Sequence, residues 1–318
     1  MTESWRPSAA VDALHARARM LHGIRAFFMA RGVLEVETPC LSRAAASDPA
    51  LASLSCAVDA ARAYLQTSPE YAMKRLLAAG CGNCFQVARV FRAGERGRHH
   101  NPEFTLLEWY RLGFDAERLM DEVGALIHAL VPSAQTRPVA RRIAYRALFL
   151  EGLGFDPLTA PTAALRHCAE QLGVAPECNL ERDAWLDLLL AQCLMPRLPA
   201  DQLTLLHDYP ASQAALARLN DDGVTAARFE VFWGGLELAN GYHELTDAAE
   251  QRRRFETDRA VRAQRGLPDV PADDHLLAAL RHGLPECAGV ALGLDRLLMK
   301  LIGVDHIDRV LAFPFERA

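Results

Sequence analysis

Residues 98–110 read RHHNPEFTLLEWY: an arginine, two histidines and an asparagine precede an alternating run. Alternation over 103–110 marks a strand, whose successive side chains point to opposite faces. Phe104, Leu106, Glu108 and Tyr110 then share one face, and Glu103, Thr105, Leu107 and Trp109 the other. A strand facing only a core would not place Glu108 on its apolar face, because an unpaired buried carboxylate is costly. Glu108 needs a partner, and an internal Arg or Lys or a substrate ammonium would serve equally. The cationic, amide-rich tip suits polyanionic phosphate.

Working outward, residues 84–92 form a second strand, joined to 103–110 by the polar loop 93–102. Upstream, TSPEYAMKRLLAAG (67–80) is a punctuated helix, with Ser68 as N-cap, Pro69 at N1, Glu70 in the first turn and Gly80 at its end. Before it lie a helix over 11–31 and a strand at 33–38 that stops at Pro39. Residues 113–200 read as a mainly helical insertion. Strands are expected at 203–208, 229–244, 287–292 and 308–313, and helices at 247–265, 273–282 and 293–302. Hairpins dominate and no regular strand–helix–strand alternation occurs. The expected fold class is α+β, an antiparallel sheet flanked by helices.

Bulk properties narrow the function. The chain has 318 residues, 51% of them hydrophobic, enough for a globular core. It has no apolar run long enough to span a bilayer and no apolar signal segment near its start, so a cytoplasmic, membrane-free protein is expected. A net charge of −5 argues weakly against a broad nucleic-acid surface. The tight cysteine pair Cys81–Cys84 has no second CxxC or His pair to complete a zinc site, and reads as two thiols flanking a turn. Arginines at 252–254 and 259–265 fit a solvated helix face better than an acidic-partner surface.

Two further constellations carry chemistry. In RFEVFWGGLELANGYHELTD (228–247), Gly234-Gly235 is a two-residue hairpin turn. It would pair Trp233 with Leu236 and Glu230 with Ala239, leaving Glu230 and Glu237 as diagonal neighbours on one face. Two carboxylates so placed either stay solvated at an edge or share a hard cation such as Mg²⁺. Asn240, Tyr242 and Glu244 have the opposite parity, so a common pocket requires the strand to slip by one residue, with a bulge expected near Gly241. In GVALGLDRLLMKLIG (289–303), Gly293 opens a helix with Arg296 in its first turn, an anion-binding arrangement. With Arg92, that gives two arginines for one triphosphate.

Taken together, the chain resembles a class II aminoacyl-tRNA synthetase catalytic domain. GVLEVETP (32–39) resembles motif 1, FRAGERGRHHNPEFTLLEWY (91–110) motif 2 and GVALGLDRLLM (289–299) motif 3. SPEYAMKRLL and ELANGYHE place it near the lysyl enzymes. The resemblance implies ATP held by Arg92, Gly94, Glu95, His100, Asn101, Phe104, Glu237, Leu238, Gly293 and Arg296, with Phe104 on adenine. It implies Mg²⁺ on Glu230 and Glu237, and Arg92 and Arg296 as the catalytic cations. A lysine-like substrate would lie among Ser68, Pro69, Glu70, Glu108, Tyr110, Asn240, Tyr242, Glu244 and Ala291.

Three departures refine this. Gly94 stands where motif 2 usually has Glu, and Glu95 follows. Ala291 replaces the middle glycine of the lysyl motif 3. No room remains before motif 1 for an anticodon-binding domain, so residues 1–318 are expected to be one catalytic domain. This combination resembles the elongation factor P–(R)-β-lysine ligase family, which implies (R)-β-lysine or lysine as substrate, elongation factor P as acceptor and no tRNA. Motif 1 implies a homodimer. A truncated lysyl-tRNA synthetase and a non-catalytic paralogue are the rival readings.

Overall fold

The computed structural model describes residues 5–59 and 61–318. In chain order its elements begin with α1 (Val11–Met29), β1 (Leu34–Glu35), β2 (Leu41–Ser42), β3 (Ser55–Val58), β4 (Ala61–Leu65) and α2 (Glu70–Ala78). The hairpin β5 (Cys84–Phe91) and β6 (Glu103–Leu112) follows, then α3 (Ala116–Leu130), β7 (Val139–Ala144), α4 (Tyr145–Leu153), α5 (Thr162–Gln171) and α6 (Arg182–Leu189). The chain continues through β8 (Gln202–Pro210), β9 (Thr225–Trp233), β10 (Leu236–His243), α7 (Ala248–Gln264), α8 (Asp274–Gly283), β11 (Cys287–Gly293) and α9 (Leu294–Ile302).

Eight strands form one sheet in the order β1-β5-β6-β11-β10-β9-β8-β7; β2, β4 and β3 form a second, small one. The large sheet is antiparallel except at its edges, where β1 runs parallel to β5 and β7 parallel to β8. The alternation along β6 assigns the two faces. Leu107 and Trp109 point into the main core with Ile24 and Phe28 of α1, Val123 and Ile127 of α3, and Leu297 and Leu298 of α9. Phe28 stacks on Phe85 with centroids 4.6 Å apart. Full burial of side chains this large is worth roughly 1.5–3 kcal/mol each. Trp109 satisfies its indole N–H on Glu122 Oε2 at 3.1 Å.

The opposite face carries Glu108 and Tyr110 and is covered only at its ends. On one side Met73 and Leu77 of α2, Phe255 of α7 and Leu277 of α8 pack against Tyr110 and Cys287. On the other, Phe149 of α4, Leu165 of α5 and Trp185 of α6 pack against Leu206 and Phe232. The uncovered middle is the floor of a cleft.

Several expectations shift. Segment 113–200 divides: α3 belongs to the main core, β7 extends the large sheet, and α4–α6 form the cluster over β8 and β9. Motif 1 contributes only Leu34–Glu35 to the sheet. No strand forms at 308–313; a 3-10 turn spans Ile307–Arg309. There Val310 and Leu311 are buried, and the carbonyls of Leu311 and Ala312 accept from the backbone N–H of Ala9 and Ser8, which takes the place of a ladder. No helix among the described residues is long and apolar enough to cross a membrane.

Candidate active site

Two cross-strand rows build the cleft floor. In one, Glu108 of β6 faces Ala291 of β11, Ala291 faces Asn240 of β10, and Asn240 faces Glu230 of β9. In the next, Tyr110 faces Gly289, Gly289 faces Tyr242, and Tyr242 faces Arg228. Directly opposed residues share a face, so four strands contribute side chains to one surface. The Gly234-Gly235 turn forms as expected, both residues at positive φ and Trp233 opposite Leu236. The register then slips between Glu237 and Ala239, at Leu238 rather than near Gly241. That slip replaces the expected Glu230–Ala239 pair by Glu230–Asn240, and it turns Asn240, Tyr242 and Glu237 to the same face.

The cleft encloses about 1530 Å³ and is lined by every residue singled out from the sequence except Gly94 and Glu230. Glu95, Leu238 and Gly293 lie on its wall, beside Pro69 at the start of α2. Its volume exceeds the roughly 300–1,000 Å³ usual for small-ligand pockets.

At the β6 end, Glu108 is 2% exposed and accepts hydrogen bonds from Ser68 Oγ at 2.6 Å and from Tyr110 Oη at 2.8 Å. Burial and the nearby charge of Glu70 push its carboxyl up to about 7, and the two hydroxyl donors offset part of that rise. Ser68 also accepts the Glu70 N–H at 3.0 Å, although the residue at the N-cap position itself is Pro69. Glu70 and Glu244 are differently placed. The buried Lys74 ammonium sits 2.6 Å from Glu70 Oε1 and 2.5 Å from Glu244 Oε2. These carboxylates hold Lys74 above its ordinary range against the effect of burial. An internal cation therefore answers two of the three carboxylates and leaves Glu108 to hydroxyls.

At the loop end, Arg296 donates to the carbonyl of Glu237 at 3.0 Å, to Glu237 Oε2 at 3.4 Å and to the carbonyl of His99 at 3.3 Å. Its third nitrogen lies 2.7 Å from His100 Nε2. Burial and the Arg296 charge lower the His100 pKa, so the ring is a neutral acceptor there. Arg92 bonds Glu95 at 3.3 Å and lies 5.0 Å from the Phe104 ring centroid. Asn101 is spent on the loop itself: its amide donates to Glu103 O at 2.6 Å and its oxygen accepts from Phe315 N at 3.0 Å. Asn101 thus shapes the tip as well as bordering the cleft.

Glu230 is buried and accepts from Arg228 at 2.6 Å. Burial raises its carboxyl, the guanidinium opposes this, and the like charge of Glu237 raises it further. The Asn240 Oδ1 atom is buried with no hydrogen-bond partner. Two mutually repelling carboxylates and a spare amide oxygen are a donor set of the kind hard divalent cations take.

Residues 4–317 match the family of class II tRNA synthetases (D, K and N). The chain belongs to the class II synthetase family. Over 326 aligned positions it is 48% identical to elongation factor P–(R)-β-lysine ligases of Pectobacterium carotovorum and Klebsiella pneumoniae, covering 100% of this chain and 99% of theirs. The ligase of the same name from Vibrio cholerae is 47% identical over the whole of both chains. Family membership carries ATP use with it, and Arg92 and Arg296 both border the cleft.

Four residues with clear roles escape a motif reading. Lys74 lies inside SPEYAMKRLL, where the i, i+4 spacing from Glu70 is its only signal. Arg228 bonds Glu230 and the carbonyl of Gln213, the latter at 2.7 Å. Asp295 accepts from Arg17 of α1 and, at 2.8 Å, from the backbone N–H of Thr105. Gly289 is needed because a Cβ there would meet Tyr110 Cε1 at 2.3 Å and Glu244 Oε1 at 2.6 Å. Arg252, Arg253 and Arg259 of α7 are solvent-exposed, whereas Arg254 and Arg262 turn inward. Arg254 donates to the carbonyls of Ala215 and Ala217, and Arg262 to those of Pro268 and Asp48.

Proposed function

We propose that the protein activates (R)-β-lysine with ATP and transfers it to a lysine ε-amine of elongation factor P. A substrate carboxylate oxygen attacks the α-phosphorus, the bond to pyrophosphate breaks, and an aminoacyl-adenylate forms. The acceptor nitrogen then attacks the acyl carbon, the bond to AMP breaks, and the nitrogen loses a proton. The protein, not tRNA, is the acceptor, the whole chain acts as one catalytic unit, and the reaction takes place in the cytoplasm with the translation machinery.

One observation carries the reading: Glu108 is a buried carboxylate served by two hydroxyls, on the same strand as Phe104, which also lines the cleft. Glu108 lies four positions beyond Phe104 on β6, roughly 13 Å at the rise of a strand. That span accommodates a lysine side chain reaching from an ammonium at Glu108 to a reacting phosphate near Phe104. Tyr110 orients the Glu108 carboxylate, and Ala291, between Glu108 and Asn240, sets the depth of the floor. Its methyl fits an amine displaced from the α position, a discrimination worth roughly 1–3 kcal/mol.

Catalysis in this reading rests on charge and placement rather than on an acid–base pair. Arg92 and Arg296 neutralise the triphosphate and hold it in line. His100, neutral beside Arg296, keeps that guanidinium aimed. Glu230 and Glu237 would hold Mg²⁺, which supplies further charge neutralisation when bound; Arg228 must then release Glu230 in part. The test is mass spectrometry of elongation factor P after incubation with the protein, ATP and each lysine isomer. A β-lysyl mass increment with (R)-β-lysine is expected. Efficient charging of tRNA with no change in the factor would refute the proposal.

A further inference from the structure

Lys74 is 1% exposed and does not border the cleft, yet its ammonium touches two carboxylates that do. α2 presents Glu70 and, one turn later, Lys74, so the helix carries both halves of one ion pair on one face. The second contact crosses to Glu244 beyond the end of β10, whose own N–H is fixed on the carbonyl of Cys287 at 3.0 Å. Lys74 engages one oxygen of each carboxylate, Glu70 Oε1 and Glu244 Oε2. The other Glu244 oxygen, Oε1, faces the floor beside Gly289 and Tyr110.

An ammonium is costly to bury, so this placement demands both acidic partners. Equally, two neighbouring buried carboxylates without a cation would share a proton, and a neutral acid attracts no ammonium. Lys74 engages one oxygen of each of two carboxylates, and Glu108 is bonded only by hydroxyls, so acceptor oxygens remain around the floor. A diamino acid brings two ammonium groups.

We propose that Lys74 is a positioning residue for diamine specificity: by tethering Glu70 and Glu244 through one oxygen of each, it fixes both carboxylates at the cleft wall and leaves their other oxygens to a second substrate ammonium. The first ammonium sits at Glu108, so the inference rests on the amine reading given above. Lys74 touches no substrate atom and acts through its two partners.

The test compares pyrophosphate exchange by the full-length protein on (R)-β-lysine and on two analogues, each with one amine replaced by a hydroxyl. In wild type the diamine is preferred over both. Lys74→Met is expected to raise KM for (R)-β-lysine at least tenfold, leave KM for ATP within twofold, and leave at least one analogue unaffected. A purely structural role would instead weaken all three substrates alike, and that result overturns the proposal, as does an unchanged preference for the diamine. Lys74→Gln, which keeps donors for both carboxylates without the charge, must show the same loss of preference. If neither variant gives folded protein even with saturating (R)-β-lysine, Lys74 belongs to the fold alone and the proposal is wrong. Wild type that exchanges with no lysine isomer would count against the proposed function itself.

Discussion

The Ser68 hydroxyl donates to Glu108 Oε2 over 2.6 Å and, with its lone pair, accepts the first N–H of α2 at 3.0 Å. One oxygen atom therefore joins the start of a helix to the carboxylate proposed to read an amine. Ser68→Ala should remove both bonds. About 1–2 kcal/mol of stability should be lost, as for other helix-start hydroxyls, and KM for the amino acid should rise three- to tenfold. Thermal melts and exchange kinetics measure the two effects; a change in stability without a change in KM would separate Ser68 from recognition.

The raised pKa of Glu108 gives the site a pH signature. An ammonium binds the carboxylate form, so KM for the amino acid should climb as pH drops through about 7. The stability effect has the opposite sense. Between its ordinary value of 4.5 and about 7, the folded protein holds a proton that the unfolded chain has released. Stability without substrate therefore falls as pH rises across that window, and the loss is complete above it. Glu108→Gln should melt higher than wild type at pH 8 in the absence of amine, while losing about 100-fold or more in kcat/KM, the effect of about 2.7 kcal/mol. A KM that stays flat from pH 6 to 8 would contradict this assignment.

Gly289→Ala tests the floor. The added methyl would meet the Tyr110 ring and Glu244. Tyr110 is almost fully buried and cannot withdraw without disturbing Glu108. We expect exchange to fall by two orders of magnitude or more, with about 1–3 kcal/mol of destabilisation from overpacking. Near-normal activity would show that the two rows are not rigid.

A dimer is expected through motif 1. The outer faces of α1 and β1 leave Val11, Met29 and Leu34 exposed at 62%, 75% and 52%. Isologous contact about a two-fold axis would cover all three twice over. Sedimentation at micromolar concentration should give twice the chain mass, and Met29→Asp with Leu34→Asp should halve it. Wild type that sediments as a monomer removes the expectation.

The legible parts of this molecule are those written locally. Alternation along 103–110 assigns both faces of β6, and Gly234-Gly235 fixes a turn that only positive φ can make. The need for a register slip in β10 follows from parity alone. Its position does not, because a bulge is set by what the neighbouring strand accepts, and β11 joins β10 from some 50 residues away. β7 is hidden because an exposed edge strand carrying Arg141 and Arg142 has no apolar alternation. The run ending at Phe313 looks like a strand yet pairs with residues 8–9, a contact almost as long in sequence as the chain. Lys74 shows the same limit: its spacing from Glu70 is visible, but Glu244 is 170 residues distant.

Asp295 immediately precedes Arg296, and its carboxylate is clamped between Arg17 on α1 and the Thr105 amide on β6. The helix expected to meet a second subunit is thereby tied to the neighbour of Arg296, the arginine proposed to hold the triphosphate. Loosening the subunit contact, even at a side chain remote from the cleft, will slacken that grip. Enzyme concentration should then act as a hidden variable in every nucleotide affinity measured for this protein.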